Sequence, residues 1–293
     1  MTALDLVYNP VSGSFSPGHL DDLVAALEGE GFSVTPMPTA AEGARLSGTA
    51  EIVCVHGGDG TLRDVVRAMG DAVSQVPLCV APSGTINLVA RELGYARKPA
   101  VFAAQVAAAW RAGEASWVKA PLYRLGEMPI VSCLSIGPDS HAVARVSGKL
   151  KKRIGRYAYV VAMMQQMRDW PRQPMTVRGI TTAGEAFEDE AEAVIVSNAA
   201  LYAGPFRLSP EAALAANSVE LISVGEGTRL GIMALSLAAM LGLPVERFAR
   251  ARVRSCCRIE FDRCVTPVQV DGDHMPDCAY AIAPSGLTLR YVV

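Results

Sequence analysis

The chain has 293 residues, 51% hydrophobic and 19% charged, with a net charge of −2 and a pI near 6.1. That composition is globular and core-rich, which excludes a disordered chain, and the charge balance gives no support for nucleic acid as the main partner. At roughly 150 residues per domain the length allows two domains.

In chain order, the first part alternates strand and helix. Strands are predicted at Leu4–Tyr8, Phe32–Met37, Ile52–Val55 and Pro77–Ala81, and helices at Pro17–Glu28, Thr61–Met69, Thr85–Leu93 and Pro99–Arg111. Short β-branched runs alternating with helices of 3.6 period imply a parallel sheet covered by helices. Ser16 and Pro17 mark the start of the first helix and Gly31 lies just past its end, as capping preferences require.

After Pro121 strand-like runs dominate: Leu122–Leu125, Ile130–Ile136, Met175–Ile180, Ala193–Ser197, Val219–Val224, Arg254–Phe261, Val268–Val270 and Leu287–Val292. Helices are fewer, near Ile154–Met167 and Leu230–Leu241. The expectation is an α/β domain over 1–121 and a β-rich, mainly antiparallel domain over 122–293, whose last strand is free to return to the first domain. Seven cysteines, without a CxxC pair and mostly in apolar runs, read as reduced thiols of a cytoplasmic protein. The N-terminus enters a strand without a basic region and apolar core, so no signal peptide is expected.

Three strand ends carry small, polar, turn-forming residues: Asn9-Pro10-Val11-Ser12-Gly13, Gly57-Gly58-Asp59-Gly60 and Pro82-Ser83-Gly84-Thr85-Ile86-Asn87. In a parallel sheet all three lie on the carboxyl edge, where ligands bind. Bare backbone N–H groups at a glycine turn that opens a helix suit an anion such as a phosphate. Asp59 would repel that anion unless a divalent cation sits between them or the carboxylate orients a hydroxyl for transfer. Neither the GxxxxGK[ST] nor the GxGxxG pattern is present.

These residues resemble a family. Asn9-Pro10-x-x-Gly13, Gly57-Gly58-Asp59-Gly60-Thr61, Pro82-x-Gly84-Thr85-x-Asn87, Gly137-x-Asp139 and Val270-Asp271-Gly272-Asp273 are similar in order and spacing to motifs of the soluble lipid kinases related to diacylglycerol kinase and sphingosine kinase. Their catalytic domain is distantly similar to NAD kinase and 6-phosphofructokinase. The resemblance implies an α/β domain followed by a β-sandwich domain, with the active site in the cleft between them. It also implies ATP and Mg2+ as donor and cofactor, and a lipid hydroxyl at a membrane surface as acceptor. By the same resemblance Asn9, Pro10, Ser12, Gly13 and Thr39 contact the nucleotide. Gly57, Gly58, Asp59, Gly60, Thr61 and Arg63 form the phosphate stretch, with Asp59 meeting Mg2+ through the nucleotide, and Thr85 belongs to a second nucleotide loop. Asp139 matches a substrate-recognition position, and Asp273 falls where related kinases place a glutamate as general base. Asp271 is the alternative base.

The chain also departs from that pattern. Leu88 follows Asn87 where an aspartate is common, Arg63-Asp64 replaces an Asn-Glu pair, and Asn217-Ser218 stands in place of an Asp-Gly that holds a structural metal. Two other readings stay open: a kinase of a soluble substrate such as NAD, and a catalytically weak lipid- or nucleotide-binding protein. The run Lys149-Leu150-Lys151-Lys152-Arg153, before the apolar segment Tyr157–Met167, suits anionic head groups on the inner membrane face or an ordinary solvated surface. His141 and His274 lack metal-ligand spacing. The sequence leaves the oligomeric state open, a homodimer included.

Overall fold

The computed structural model describes residues 1–12, 15–137, 140–141, 174–204, 206–225, 238, 241, 243, 245, 251–265, 267–275 and 279–293. The helix expected at Ile154–Met167, the basic run before it, Gly13 and Asp139 fall outside the described residues, as does nearly all of Leu230–Leu241. The chain divides into two compact units, Met1–Leu122 with Gly286–Val293, and Tyr123–Ser285.

The first unit is built on parallel strands β1 (Thr2–Tyr8), β2 (Phe32–Pro38), β3 (Ile52–Gly57) and β4 (Leu78–Pro82). Their order is β4-β3-β1-β2. Every residue of β3 is buried, as a central strand covered on both faces demands. Helix α1 (Pro17–Gly29) turns Leu20, Leu23 and Leu27 inward and packs on α4 (Pro99–Ala112), while α2 (Asp59–Met69) packs on β3. Pro36 and Pro38 on β2 protect the sheet's outer edge, because proline offers no ladder donor. Beyond β4 the sheet gains the end of the chain: Tyr291 pairs in parallel with Leu78, and the Tyr95 hydroxyl donates to the Val292 carbonyl at 2.7 Å.

Two helix boundaries differ from the sequence expectation. Helix α2 starts at Asp59, not Thr61, with Gly58 as its cap; Gly60 is tolerated because first-turn N–H groups have no intrahelical acceptor in any case. Helix α3 is only Leu88–Glu92. Asn87 adopts a left-handed conformation (φ 56°), and its side chain accepts from Gly84 N (2.9 Å) and donates to Gly84 O (2.8 Å). That closed turn spends residues 84–87 before the helix can begin.

The second unit is antiparallel. Strand β5 (Val118–Leu125) leads into it, followed by β6 (Met128–Ile130), β7 (Cys133–Ile136), β8 (Met175–Thr181), β9 (Ala186–Ala191), β10 (Ala193–Ser197) and β11 (Val219–Val224). Strands β12 (Ala251–Val265), β13 (Val268–Val270), β14 (Asp273–Met275) and β15 (Ala279–Tyr291) complete it. The ladder runs β14-β13-β7-β10-β11-β12-β15, and the β8–β9 hairpin joins at β12. Strand β12 pairs with β11 through Cys256 and with β8 beyond it, across a register shift between Cys256 and Arg258. The irregularity lets one strand carry the sheet over its own core, where Val177, Leu134, Val196, Leu221 and Ile259 meet. The opposite face of β10–β12 builds a smaller core around Ile222, Val224 and Leu208. The single strand expected at Ile130–Ile136 is broken at Val131 and Ser132, for a reason found in Asp271.

Candidate active site

The three loops of the first unit are bonded into one structure. Asn9 donates its side-chain amide to Thr61 Oγ1 (3.4 Å), and its Oδ1 accepts from Val11 N (3.0 Å) in an Asx turn. Ser12 donates its hydroxyl to the Ser83 carbonyl (2.9 Å), and Ser83 N donates to the Gly57 carbonyl (3.1 Å). Thr39 joins the same edge, its N–H donating to the Tyr8 carbonyl at 2.8 Å. Pro10 and Thr85 stand exposed at the loop tips.

Two glycines make this approach possible. A Cβ on Gly84 would lie 2.7 Å from Gly58 Cα and 2.5 Å from Asn87 Oδ1. One on Gly57 would lie 2.5 Å from Thr61 Cβ. A side chain at Gly84 would separate its loop from the glycine turn, and one at Gly57 would displace Thr61, the residue that Asn9 bonds.

Asp59 sits in the first turn of α2, and its carboxylate reaches the start of α3. Oδ2 accepts from Leu88 N (2.8 Å) and Oδ1 from Val89 N (3.0 Å). One side chain thus caps a neighbouring helix while standing at the positive end of its own. Burial pushes its carboxyl pKa up, and the two N–H donors act in the opposite direction. Each carboxylate oxygen accepts in two directions, so acceptor capacity remains. Arg63, one turn further on, is buried and pairs with Asp64 at 3.1 Å.

His56 is the penultimate residue of β3, next to the glycine turn. It is fully buried, its ring 5.4 Å from that of His19 and 6.5 Å from that of Phe15, which in turn stacks on Tyr8. Burial, then the neighbouring His19, push its pKa down to about 4, with the Ala81 backbone pulling the other way. The imidazole is therefore neutral at physiological pH.

In the second unit the β13–β14 turn carries Asp271 (φ 52°) and Gly272 (φ 87°). The Asp271 carboxylate is buried: Oδ1 accepts from Ser132 N (2.7 Å), Ser132 Oγ (2.7 Å) and Cys133 N (3.1 Å), and Oδ2 from Val131 N (3.2 Å). These bonds turn the backbone N–H groups of 131–133 away from a strand ladder, which is what breaks the expected Ile130–Ile136 strand. Asp273 is half-buried at the start of β14, opposite Val270.

Of the residues singled out from sequence, Asn9, Ser12, Thr39, Gly57, Gly58, Asp59 and Thr61 gather at one sheet edge of the first unit, with Pro10, Gly60, Arg63 and Thr85 on the same loops and helix. Asp273 belongs to the second unit. Ser83 and the clamp made by Asp271 were not foreseen; the only signal for the latter was an Asp-Gly turn after a strand, which many turns share. Among the described residues no three His, Cys, Asp or Glu side chains gather into a metal cluster, and no helix is long and apolar enough to cross a membrane.

Residues 3–118 match the diacylglycerol kinase catalytic domain, and residues 132–290 match the YegS C-terminal NAD kinase beta sandwich-like domain. The chain belongs to the lipid kinase family defined by these two domains, and so stands among the phosphotransferases with an alcohol acceptor. A diacylglycerol kinase of Bacillus subtilis is 25% identical over 246 residues, covering 78% of each chain. A "Probable lipid kinase YegS-like" of Pseudomonas putida is 30% identical over 160 residues, 55% of this chain and 51% of that relative. A crystal structure of a diacylglycerol kinase from Bacillus anthracis superposes with a TM-score of 0.67 at 16% identity, covering 99% of this chain and 96% of that one; at that identity the likeness speaks for the fold alone.

Proposed function

We propose that the chain transfers the terminal phosphoryl group of ATP, with Mg2+, to a hydroxyl of a diacylglycerol-like or long-chain-base lipid at a membrane surface. The observation that carries the reading is the fusion of three loops at one sheet edge, closed by Gly58 and Gly84 and braced by Asp59, in a chain of this family. The glycine turn and the N-terminus of α2 present backbone N–H groups to the donor phosphates. Asn9, Ser12, Thr39 and Thr85 hold the remainder of the nucleotide. The residues fit a hard cation, since Asp59 keeps carboxylate acceptor capacity beside the phosphate loop. When bound with the nucleotide, Mg2+ offsets the charge that builds up on the phosphates.

Asp273 accepts the proton of the attacking lipid hydroxyl. Support for Asp273 over Asp271 comes from burial: the Asp271 carboxylate is buried against the backbone N–H groups of 131–133 and the Ser132 hydroxyl, whereas Asp273 is half-buried at the start of β14, just past the turn that this clamp holds. Asp139 assists recognition of the acceptor, and the basic run Lys149–Arg153 meets anionic head groups. Neutral His56 keeps a positive charge out from under the glycine turn. The test is transfer of label from γ-labelled ATP to a panel of lipids in mixed micelles, with NAD as a soluble control acceptor.

A further inference from the structure

Strand β12 carries Arg252 and Arg254 on one face, because alternate residues of a strand point the same way. That face meets the larger core: their ladder partners on β11 are Ser223 and Leu221, and Leu221 packs with Val177 and Cys256. Both guanidiniums donate to a single carboxylate, that of Asp189 on β9, Arg252 to Oδ1 and Arg254 to Oδ2. The Ser223 hydroxyl also donates to Oδ2, at 3.0 Å. Asp189 is buried, whereas the Arg252 side chain is 64% exposed and that of Arg254 26%.

Two positive charges therefore share one negative charge. Elsewhere on these strands the pairing is one to one, Arg178 with Glu188 and Arg258 with Glu260. The neighbouring acids of β9, Glu188 and Glu190, alternate to the face away from Asp189, where Arg178 and Thr176 bond them. Glu220 on β11 likewise faces away from Leu221 and Ser223. A guanidinium has five N–H donors, and Arg252 and Arg254 each donate through a single nitrogen, with no further hydrogen bond among the described residues. Arg254 also lies over the Phe187 ring, 4.6 Å from its centroid, which fixes the plane of its fork. Residues two apart on a strand stand about 6.6–6.8 Å apart, a spacing at which two guanidiniums can each hold an oxygen of one tetrahedral anion.

We propose that Arg252 and Arg254 form a binding site for a phosphate group, with a phosphomonoester-type dianion as the preferred ligand. Asp189 is the buried counter-ion that gathers the two forks, and their remaining N–H groups hold the phosphate oxygens. A dianion is favoured because its three terminal oxygens give both forks an acceptor, where a carboxylate has only two. The site belongs to the second unit, whereas the glycine turn belongs to the first, so it does not depend on nucleotide or on phosphoryl transfer. Free inorganic phosphate and the head group of a lipid phosphomonoester share this chemistry.

Binding by the full chain without nucleotide tests this in two arms: calorimetric titration with inorganic phosphate, and co-sedimentation with phosphatidylcholine vesicles with or without phosphatidate. Anion bound elsewhere on the chain is common to wild type and variants, so the comparison between them is what counts. Arg252→Gln leaves Asp189 its bonds from Arg254 and Ser223, and should weaken binding about tenfold in at least one arm. A loss with inorganic phosphate alone identifies the soluble anion; a loss on phosphatidate vesicles identifies the lipid head group. Arg258→Gln, at a similarly exposed arginine with its own partner Glu260, should change neither. Unchanged binding by Arg252→Gln in both arms, or an equal loss in Arg258→Gln, overturns the proposal. Should Arg252→Gln fail to fold, Arg252→Lys takes its place: a point charge without the fork should still cost roughly threefold, and undiminished binding in both arms overturns the proposal equally.

Discussion

Replacing Asp59 by asparagine separates its two roles. Both oxygens accept backbone N–H groups, at 2.8 and 3.0 Å from Leu88 and Val89. An asparagine offers one acceptor and one NH2, so in either orientation an N–H of α3 faces a donor. Losing one charge-assisted bond costs about 1.5–3 kcal/mol, and losing an N-cap about 0.5–2 kcal/mol. Part of that cost is returned, because burial already disfavours the charged carboxyl and pushes its pKa up. The net expectation is a destabilisation of about 1–2 kcal/mol, or a melting point lower by ~2–8 °C for a chain of this size. The variant should stay folded at 25 °C. Its phosphoryl transfer should nevertheless fall at least ~100-fold, because a charge beside the phosphates is gone. Calorimetry and a γ-phosphate transfer assay on the same preparation check both numbers. Activity within about twofold of wild type would refute the catalytic role and leave Asp59 a helix cap; an unchanged melting point would refute the cap.

Gly84→Ala should force the loops at Gly58 and Asn87 apart and raise the KM for ATP by roughly tenfold or more with less effect on an ATP-independent property such as vesicle binding; isothermal titration with a nucleotide analogue reads it. His56, at a folded pKa of about 4 against 6.5 ordinarily, binds fewer protons folded than unfolded between those values. Its contribution is complete above pH 6.5 and is lost as pH falls towards 4, by about 2 kcal/mol from pH 7 to 5. Urea unfolding of His56→Gln at both pH values should show that slope diminished. Asp271→Ala should strip acceptors from three buried N–H groups and Ser132 Oγ, costing about 3 kcal/mol or more; near-native stability by urea unfolding would count against the clamp.

The parallel-then-antiparallel architecture was legible because hydrophobic periodicity changes character near Pro121, and because three strand ends share one turn chemistry. The start of α2 was misplaced by two residues since glycines conceal a helix N-terminus from propensity. The true start of α3 depends on the Asn87 side chain closing on Gly84, and the break at Val131–Ser132 on Asp271, 139 residues away from Ser132. Such contacts leave no local pattern. The same holds for the site: glycines and Asp59 announce themselves, whereas the bond from Asp59 to α3 appears only when the loops are brought side by side.

The most direct measurement is label transfer from γ-labelled ATP with Mg2+ to diacylglycerol and long-chain bases in mixed micelles, run for wild type and Asp273→Ala with NAD as control. The account predicts a labelled lipid from the wild type, no labelled NAD, and turnover about 10²–10⁴-fold lower in Asp273→Ala with ATP binding retained. Label in NAD but in no lipid, or full lipid turnover by Asp273→Ala, would contradict it.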